Sequence, residues 1–203
     1  MQRFRLLCAA ILGFTVSAGE EVAAQPQTHH HGAAAQIVHR TIARYLMPPV
    51  VLVRADGAQI SFPKELDDGR AVYMNFIFTT CATICPLSSA VFEQLQTKLG
   101  ADRAKVHLVS VSIDPEQDTP PQLLEYAQKF HAGREWQYYT GTVEASIAVQ
   151  RAFNVYRGDK MSHAPVTLFR ASPDAPWVRL DGFASASDLY QEYRQILAKR
   201  SSV

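Results

Sequence analysis

Two cysteines, Cys81 and Cys85, stand in the stretch FIFTTCATICPLSS, which runs from Phe76 to Ser89, and Pro86 follows the second directly. Residues at i and i+4 lie on one face of a helical turn, so both sulfurs can point at one small object. Near a helix N-terminus the positive end of the dipole favours thiolate over thiol. Such a pair is open to three kinds of chemistry: a structural disulfide, a redox couple, or two soft ligands suited to Cu(I) or zinc. Two thiolates leave a metal under-coordinated, so a third ligand is expected from another loop. The candidate is His163 in KMSHAPVTLF, just before an apolar run that reads as a strand. Neutral imidazole is a good copper ligand. Two thiolates and one imidazole suit Cu(I) in a near-trigonal site, and Cu(II) with an added oxygen donor.

These residues need elements to hold them. Ala71 to Phe78 is nearly all apolar, the signature of a strand covered on both faces. Leu87, Val91, Leu95 and Leu99 then fall at helical spacing, with Gly100 as the stop. Val106 to Ile113 reads as a second buried strand, and Pro120 to Phe130 as a helix with Leu123, Leu124 and Ala127 on one face. Trp136 to Tyr139 reads as a strand and Val143 to Phe153 as a helix. Val166 to Phe169 and Trp177 to Leu180 read as strands able to form an antiparallel hairpin, and Ser187 to Lys199 as a closing helix. Earlier, VVLVRADGAQISF reads as a hairpin turning at Ala55-Asp56-Gly57. The alternation predicts an α/β domain with a central, mainly parallel sheet, flanking helices and an added N-terminal β-hairpin. A dithiol between the first buried strand and its helix is the arrangement of the thioredoxin-like fold. In such a sheet the loop before the strand at Val166 passes beside the dithiol.

The chain has 203 residues, 47% of them hydrophobic, and a formal net charge of +1. That suffices for one domain with a substantial core. It offers no electrostatic basis for binding nucleic acid. Residues 1–24 read as an export signal: Arg3 and Arg5 precede an apolar run from Leu6 to Ala18, and Val22-Ala23-Ala24 offers a cleavage site. The run is about 13 residues, short of the ~20 that span a bilayer, so a retained membrane anchor is the less favoured reading. Cleavage would remove Cys8, leaving one local dithiol in an exported, most simply periplasmic, protein. Residues 25–47, with His29, His30 and His31, read as a flexible leader, and 48–200 as the folded domain.

Taken together, four pieces resemble the Sco/SenC family of copper-binding assembly proteins. They are the strand followed by CxxxCP (Cys81, Cys85, Pro86), the loop from Ser112 through Asp114-Pro115 to Asp118-Thr119-Pro120, the segment Tyr139-Thr140-Gly141, and Ser162-His163. The resemblance implies a thioredoxin-like fold, export, and copper held by Cys81, Cys85 and His163. It also implies a copper-receiving partner, a cytochrome c oxidase subunit, to which the protein donates metal or whose cysteines it reduces, and a thiol reductant that serves the protein in turn. One departure stands out: Ala82 and Thr83 occupy the place where the family commonly has Pro and Asp. A rigid turn and a negative charge are thereby missing, which makes the loop slightly less favourable to a cation.

Two other readings of the dithiol compete. An exported thiol-disulfide oxidoreductase would use the pair for electron exchange with incidental metal binding, although that chemistry usually uses CxxC spacing. A peroxiredoxin-like peroxidase would need threonine three residues before its nucleophile, where this chain has Phe78 and Ala82. Asp114 ends a buried strand at the sheet edge where sites form, and is a candidate to orient His163 or the metal loop. Asp118 reads as structural, with Asp118 or Thr119 capping the helix at Pro120. Ala164-Pro165 is a candidate cis peptide. His39, His107 and His131 read as surface or packing residues, and Phe76, Phe78, Tyr138, Tyr139 and Phe153 as core.

Overall fold

The computed structural model describes residues 38–201. The segment 1–24 read as an export signal and most of the segment 25–47 read as a leader lie outside the described residues. Strands β1 (His39–Ala43), β2 (Val51–Arg54), β3 (Gln59–Ser61), β4 (Ala71–Ile77), β5 (Val106–Ser112), β6 (Trp136–Thr140), β7 (Val166–Arg170) and β8 (Trp177–Asp181) form one sheet in the order β1-β8-β7-β4-β5-β6-β2-β3. Helices α1 (Phe62–Leu66), α2 (Ile84–Leu99), α3 (Pro120–Lys129), α4 (Val143–Ala152) and α5 (Ala186–Ser201) complete the domain. None is long and apolar enough to cross a membrane, among the described residues.

The predicted strands and helices all form, and the alternation along the two central strands explains the layers. Tyr73, Ile77 and Leu108 join a core with Phe92 and Leu95 of α2, Leu123 of α3 and Leu189 of α5. Val72, Met74, Phe76, Val109 and Val111 face the other way, onto Phe62 and Leu66 of α1 and Val149 of α4. Every residue of β4 and β5 is buried, the polar Asn75, His107, Ser110 and Ser112 included, as expected of strands covered on both faces.

Parallel pairing is confined to the centre, where β4 pairs β5 and β5 pairs β6. All other neighbours are antiparallel, so the sheet is mostly antiparallel around a parallel core rather than mainly parallel throughout. Only the βαβ crossovers through α2 and α3 enforce parallel pairing, whereas the two hairpins and the leader segment add antiparallel strands outside them. The leader contributes β1: His39–Ala43 pairs β8, with His39 opposite Asp181 and Ala43 opposite Trp177. Backbone pairing across an otherwise open edge drives this strand, and Ile42 stays 62% exposed, so no burial pattern announces it. Arg40 staples it to α5 through two bonds to Glu192 at 2.6 and 3.1 Å.

Two helix faces meet expectation in part: Leu95 and Leu99 of α2 and Leu123 and Ala127 of α3 are buried as expected. Leu87 and Leu124 are exposed, while Cys85, Ser89, Phe92 and Gln96 take the inner face of α2 and Leu123 and Tyr126 that of α3. Both runs are apolar enough to define a stripe, but its centre lies part of a turn away from where the spacing sets it. Ala164-Pro165 is trans, as are all described peptide bonds.

Candidate metal centre

The parallel strand β4 ends at Ile77, and a tight turn closed by Cys81 N–H donating to the Phe78 carbonyl at 3.1 Å leads into α2. Cys85 therefore lies in the first turn of the helix and Cys81 just before it. Cys81 Sγ accepts the Cys85 N–H at 3.4 Å, one of the amides left unpaired by helix geometry. Thr83 Oγ1 stands 3.8 Å from the same sulfur. No acidic residue occupies the first turn of α2, so nothing of opposite sign competes for its positive end.

The two thiols are free and unequal. Burial works against the Cys81 thiolate, but the N–H groups of Cys85 and Thr83 outweigh it and hold that thiol below the ordinary range. Cys85 is only 1% exposed, and burial pushes its thiol well above the ordinary range, with Cys81 and Asp118 adding to the effect. Limited alkylation with iodoacetamide near neutral pH should therefore label Cys81 well before Cys85, as read by peptide mass spectrometry. Equal labelling would contradict this ordering.

His163 follows a 3₁₀ turn, Lys160–Ser162, capped by Asp159, whose Oδ1 accepts Met161 N–H at 2.9 Å. β7 runs antiparallel to β4, pairing as far as Thr167 opposite Asn75, and His163 stands four residues before that pair, on the approach to β7. His163 Nε2 donates to the Phe76 carbonyl at 3.0 Å. That bond fixes the Nε2–H tautomer and leaves Nδ1 as the lone pair. Burial holds the ring's pKa below its ordinary value, so it stays neutral near pH 7.

The structure thus brings Cys81 and Cys85 together and places His163 on the adjacent strand entry. It does not close the three into one cluster: among the described residues no group of three His, Cys, Asp or Glu stands in metal-holding arrangement. The donor set, two sulfurs and a neutral imidazole on neighbouring loops, fits a soft monovalent ion. The imidazole would join through Nδ1, or through Nε2 after releasing Phe76.

Asp114 touches neither cysteine nor His163. It pairs with Lys160 Nζ, and that ammonium also lies 5.6 Å from the centre of the Phe78 ring. The pair ties the histidine's turn to the end of β5. A cavity of about 380 Å³ adjoins His163 on this side, with Asp114, Gln150, Arg157 and Lys160 in its wall and no cysteine.

Asp118 is not the helix cap. Thr119 caps α3, its N–H and hydroxyl both donating to Gln122 Oε1 at 2.9 and 2.6 Å. The fully buried Asp118 carboxylate instead accepts from Thr79 N–H, Thr79 Oγ1 and Ser112 Oγ. The signal available in the sequence is an acid just past the strand that neighbours the dithiol strand. His39 and His131 lie at the surface, with His131 paired to Glu93, and His107 is buried against Tyr139. The five aromatics assigned to the core are all buried.

A family model described as SCO1/SenC matches residues 39–171. The SCO1 protein homolog of Bacillus subtilis is 36% identical over 104 residues, covering 51% of this chain and 53% of the relative. The mitochondrial SCO1 homolog 1 of Arabidopsis thaliana is 28% identical over 145 residues, covering 66% and 41%. The matches thus span about half the length of these curated relatives or less. Among solved structures, BsSco, a member of the Sco family of cytochrome c oxidase assembly proteins with a disulfide switch, superposes with a TM-score of 0.64 at 27% identity, over 76% of this chain and 95% of that one. ScoI of Arabidopsis thaliana with copper bound superposes with a TM-score of 0.62 at 26% identity, over 77% and 98%.

Proposed function

The chain belongs to the SCO1/SenC family, and from that premise we propose that it is an exported copper metallochaperone whose ligands are Cys81, Cys85 and His163. It holds Cu(I) and passes it to a copper enzyme such as cytochrome c oxidase, or reduces the cysteines of that client. The observation that carries this reading is the pair of free thiols at the N-terminus of α2, with Cys85 N–H directed at Cys81 Sγ and His163 on the neighbouring strand entry. Copper-bound relatives of the same fold support the choice of metal. Arg3, Arg5 and the apolar run after them support export, with periplasmic placement.

Thiolate ligands couple metal affinity to protonation and to oxidation. Binding Cu(I) displaces two thiol protons. When a client disulfide accepts two electrons from the pair and becomes two thiols, a Cys81–Cys85 disulfide forms, both sulfur ligands are lost and the metal is released. A thiol reductant must then return the pair to its starting state.

A second reading, thiol-disulfide exchange with the client, is favoured by the inequality of the thiols. Cys81, the more acidic and more accessible, attacks a client disulfide and releases one client thiol. Cys85 then displaces the second client thiol from the mixed disulfide, leaving Cys81–Cys85 oxidised and the client reduced by two electrons.

Anaerobic titration of the reduced protein with Cu(I) against a competing chelator tests the first reading. One tight equivalent is expected. Absence of tight binding would sink the metallochaperone and leave the oxidoreductase.

A further inference from the structure

Asp118 lies 39 residues beyond Thr79 in sequence, yet its carboxylate is committed to that residue. Oδ1 accepts Thr79 N–H at 3.1 Å and Thr79 Oγ1 at 2.6 Å, and Oδ2 accepts Ser112 Oγ at 2.6 Å. Ser112 Oγ in turn accepts Asp114 N–H at 3.0 Å. The group is wholly buried, and these hydrogen-bond donors are neutral. A buried carboxylate without a cationic partner is a poor stabiliser, since an apolar residue of similar volume often does as well. What it supplies instead is direction.

The residue it grips has a particular place. Thr79 is the first central residue of the turn that Phe78 and Cys81 close, and that turn delivers Cys81 to the front of α2. Thr79 donates its hydroxyl to Oδ1 and its N–H to Oδ1 and, at 3.3 Å, to Oδ2, so the carboxylate restrains rotation of the turn about its first peptide. Oδ2 also anchors the same carboxylate to the end of β5, the central strand beside β4.

We infer that Asp118 is a positioning residue of the dithiol, acting through Thr79 to fix where Cys81 Sγ stands against the first turn of α2. For its copper readout the inference rests on the function proposed above; for its thiol readout it does not.

Two variants test it, Asp118→Asn and Thr79→Val, each assayed for Cu(I) affinity by chelator competition and for the ratio of Cys81 to Cys85 alkylation. Asp118→Asn keeps the shape but loses the anion. A drop in copper affinity of about 10–100-fold is expected, the range for groups that orient ligands without binding the metal. The alkylation ratio should also fall toward parity. Thr79→Val keeps the anion and loses the hydroxyl, and should shift both readouts in the same direction. The double variant should fall short of the sum of the two, as expected of residues acting through one contact. Parent-like affinity and parent-like alkylation in both single variants, with only the melting temperature lowered, would overturn the inference and make Asp118 a brace. If Asp118→Asn does not fold, Thr79→Val decides alone by the same criteria. If the parent binds no copper, the proposed function fails while the alkylation ratio still judges Asp118.

Discussion

His163→Ala is expected to weaken Cu(I) binding by more than about 100-fold, with both thiols still titratable. Groups that merely orient a ligand already account for about 10–100-fold in affinity, so loss of a direct ligand should exceed that range. Two thiolates alone leave the metal open to any competing donor, which a chelator titration reads directly. The variant should fold, because the ring's hydrogen bond to protein is a single contact with the Phe76 carbonyl, worth about 1 kcal/mol. Cys81→Ser and Cys85→Ser should lose tight binding as well, since hydroxyl is a poor substitute for a soft thiolate. Parent affinity in His163→Ala would remove histidine from the ligand set and return the site to a plain dithiol. The cavity beside His163 and the Asp114–Lys160 pair would then have no link to metal.

The second large effect concerns stability and lies away from the dithiol. His107 on β5 is wholly buried, with Nε2 3.1 Å from the Tyr139 hydroxyl, which itself donates to Glu65 at 2.9 Å. Burial and the nearby Arg70 push its pKa down to about 4, against opposing pulls from Asp68 and Glu65. The unfolded chain takes up this proton as pH falls through about 6.5, whereas the folded chain refuses it until about 4. The stability this residue contributes is therefore fully present above pH 6.5 and falls away toward pH 4, by about 3 kcal/mol in all. Urea unfolding of the parent and of His107→Gln, at about pH 7 and about pH 4.5, isolates the effect. The parent should lose most of that amount relative to the variant over this interval. Equal losses would show that His107 does not drive the acid sensitivity.

The sequence by itself determines much of this protein. The largely apolar stretch 71–77 and the β-branched, apolar-rich stretch 106–112 are local patterns that suit burial on both faces, so the two central strands are plain. Cys81 and Cys85 lie within one helical turn of each other, so their proximity follows from spacing alone. Thr119 with Gln122 is likewise a local capping signature.

What the sequence does not determine depends on partners far apart along the chain. A strand's pairing partner is chosen by packing of the whole sheet, so β1 is invisible in residues 39–43 themselves, and the antiparallel pairings of β2 with β6 and β4 with β7 are written in no single strand. The helix stripes are readable only to within part of a turn, because the facing layer decides which residues are inner. Asp114 and Asp118 sit in one loop, yet one reaches Lys160 at the histidine's turn and the other reaches Thr79 at the cysteines' turn. A carboxylate has the same composition in either case. Only the fold, by bringing the ends of β4, β5 and the approach to β7 side by side, decides which donor it meets.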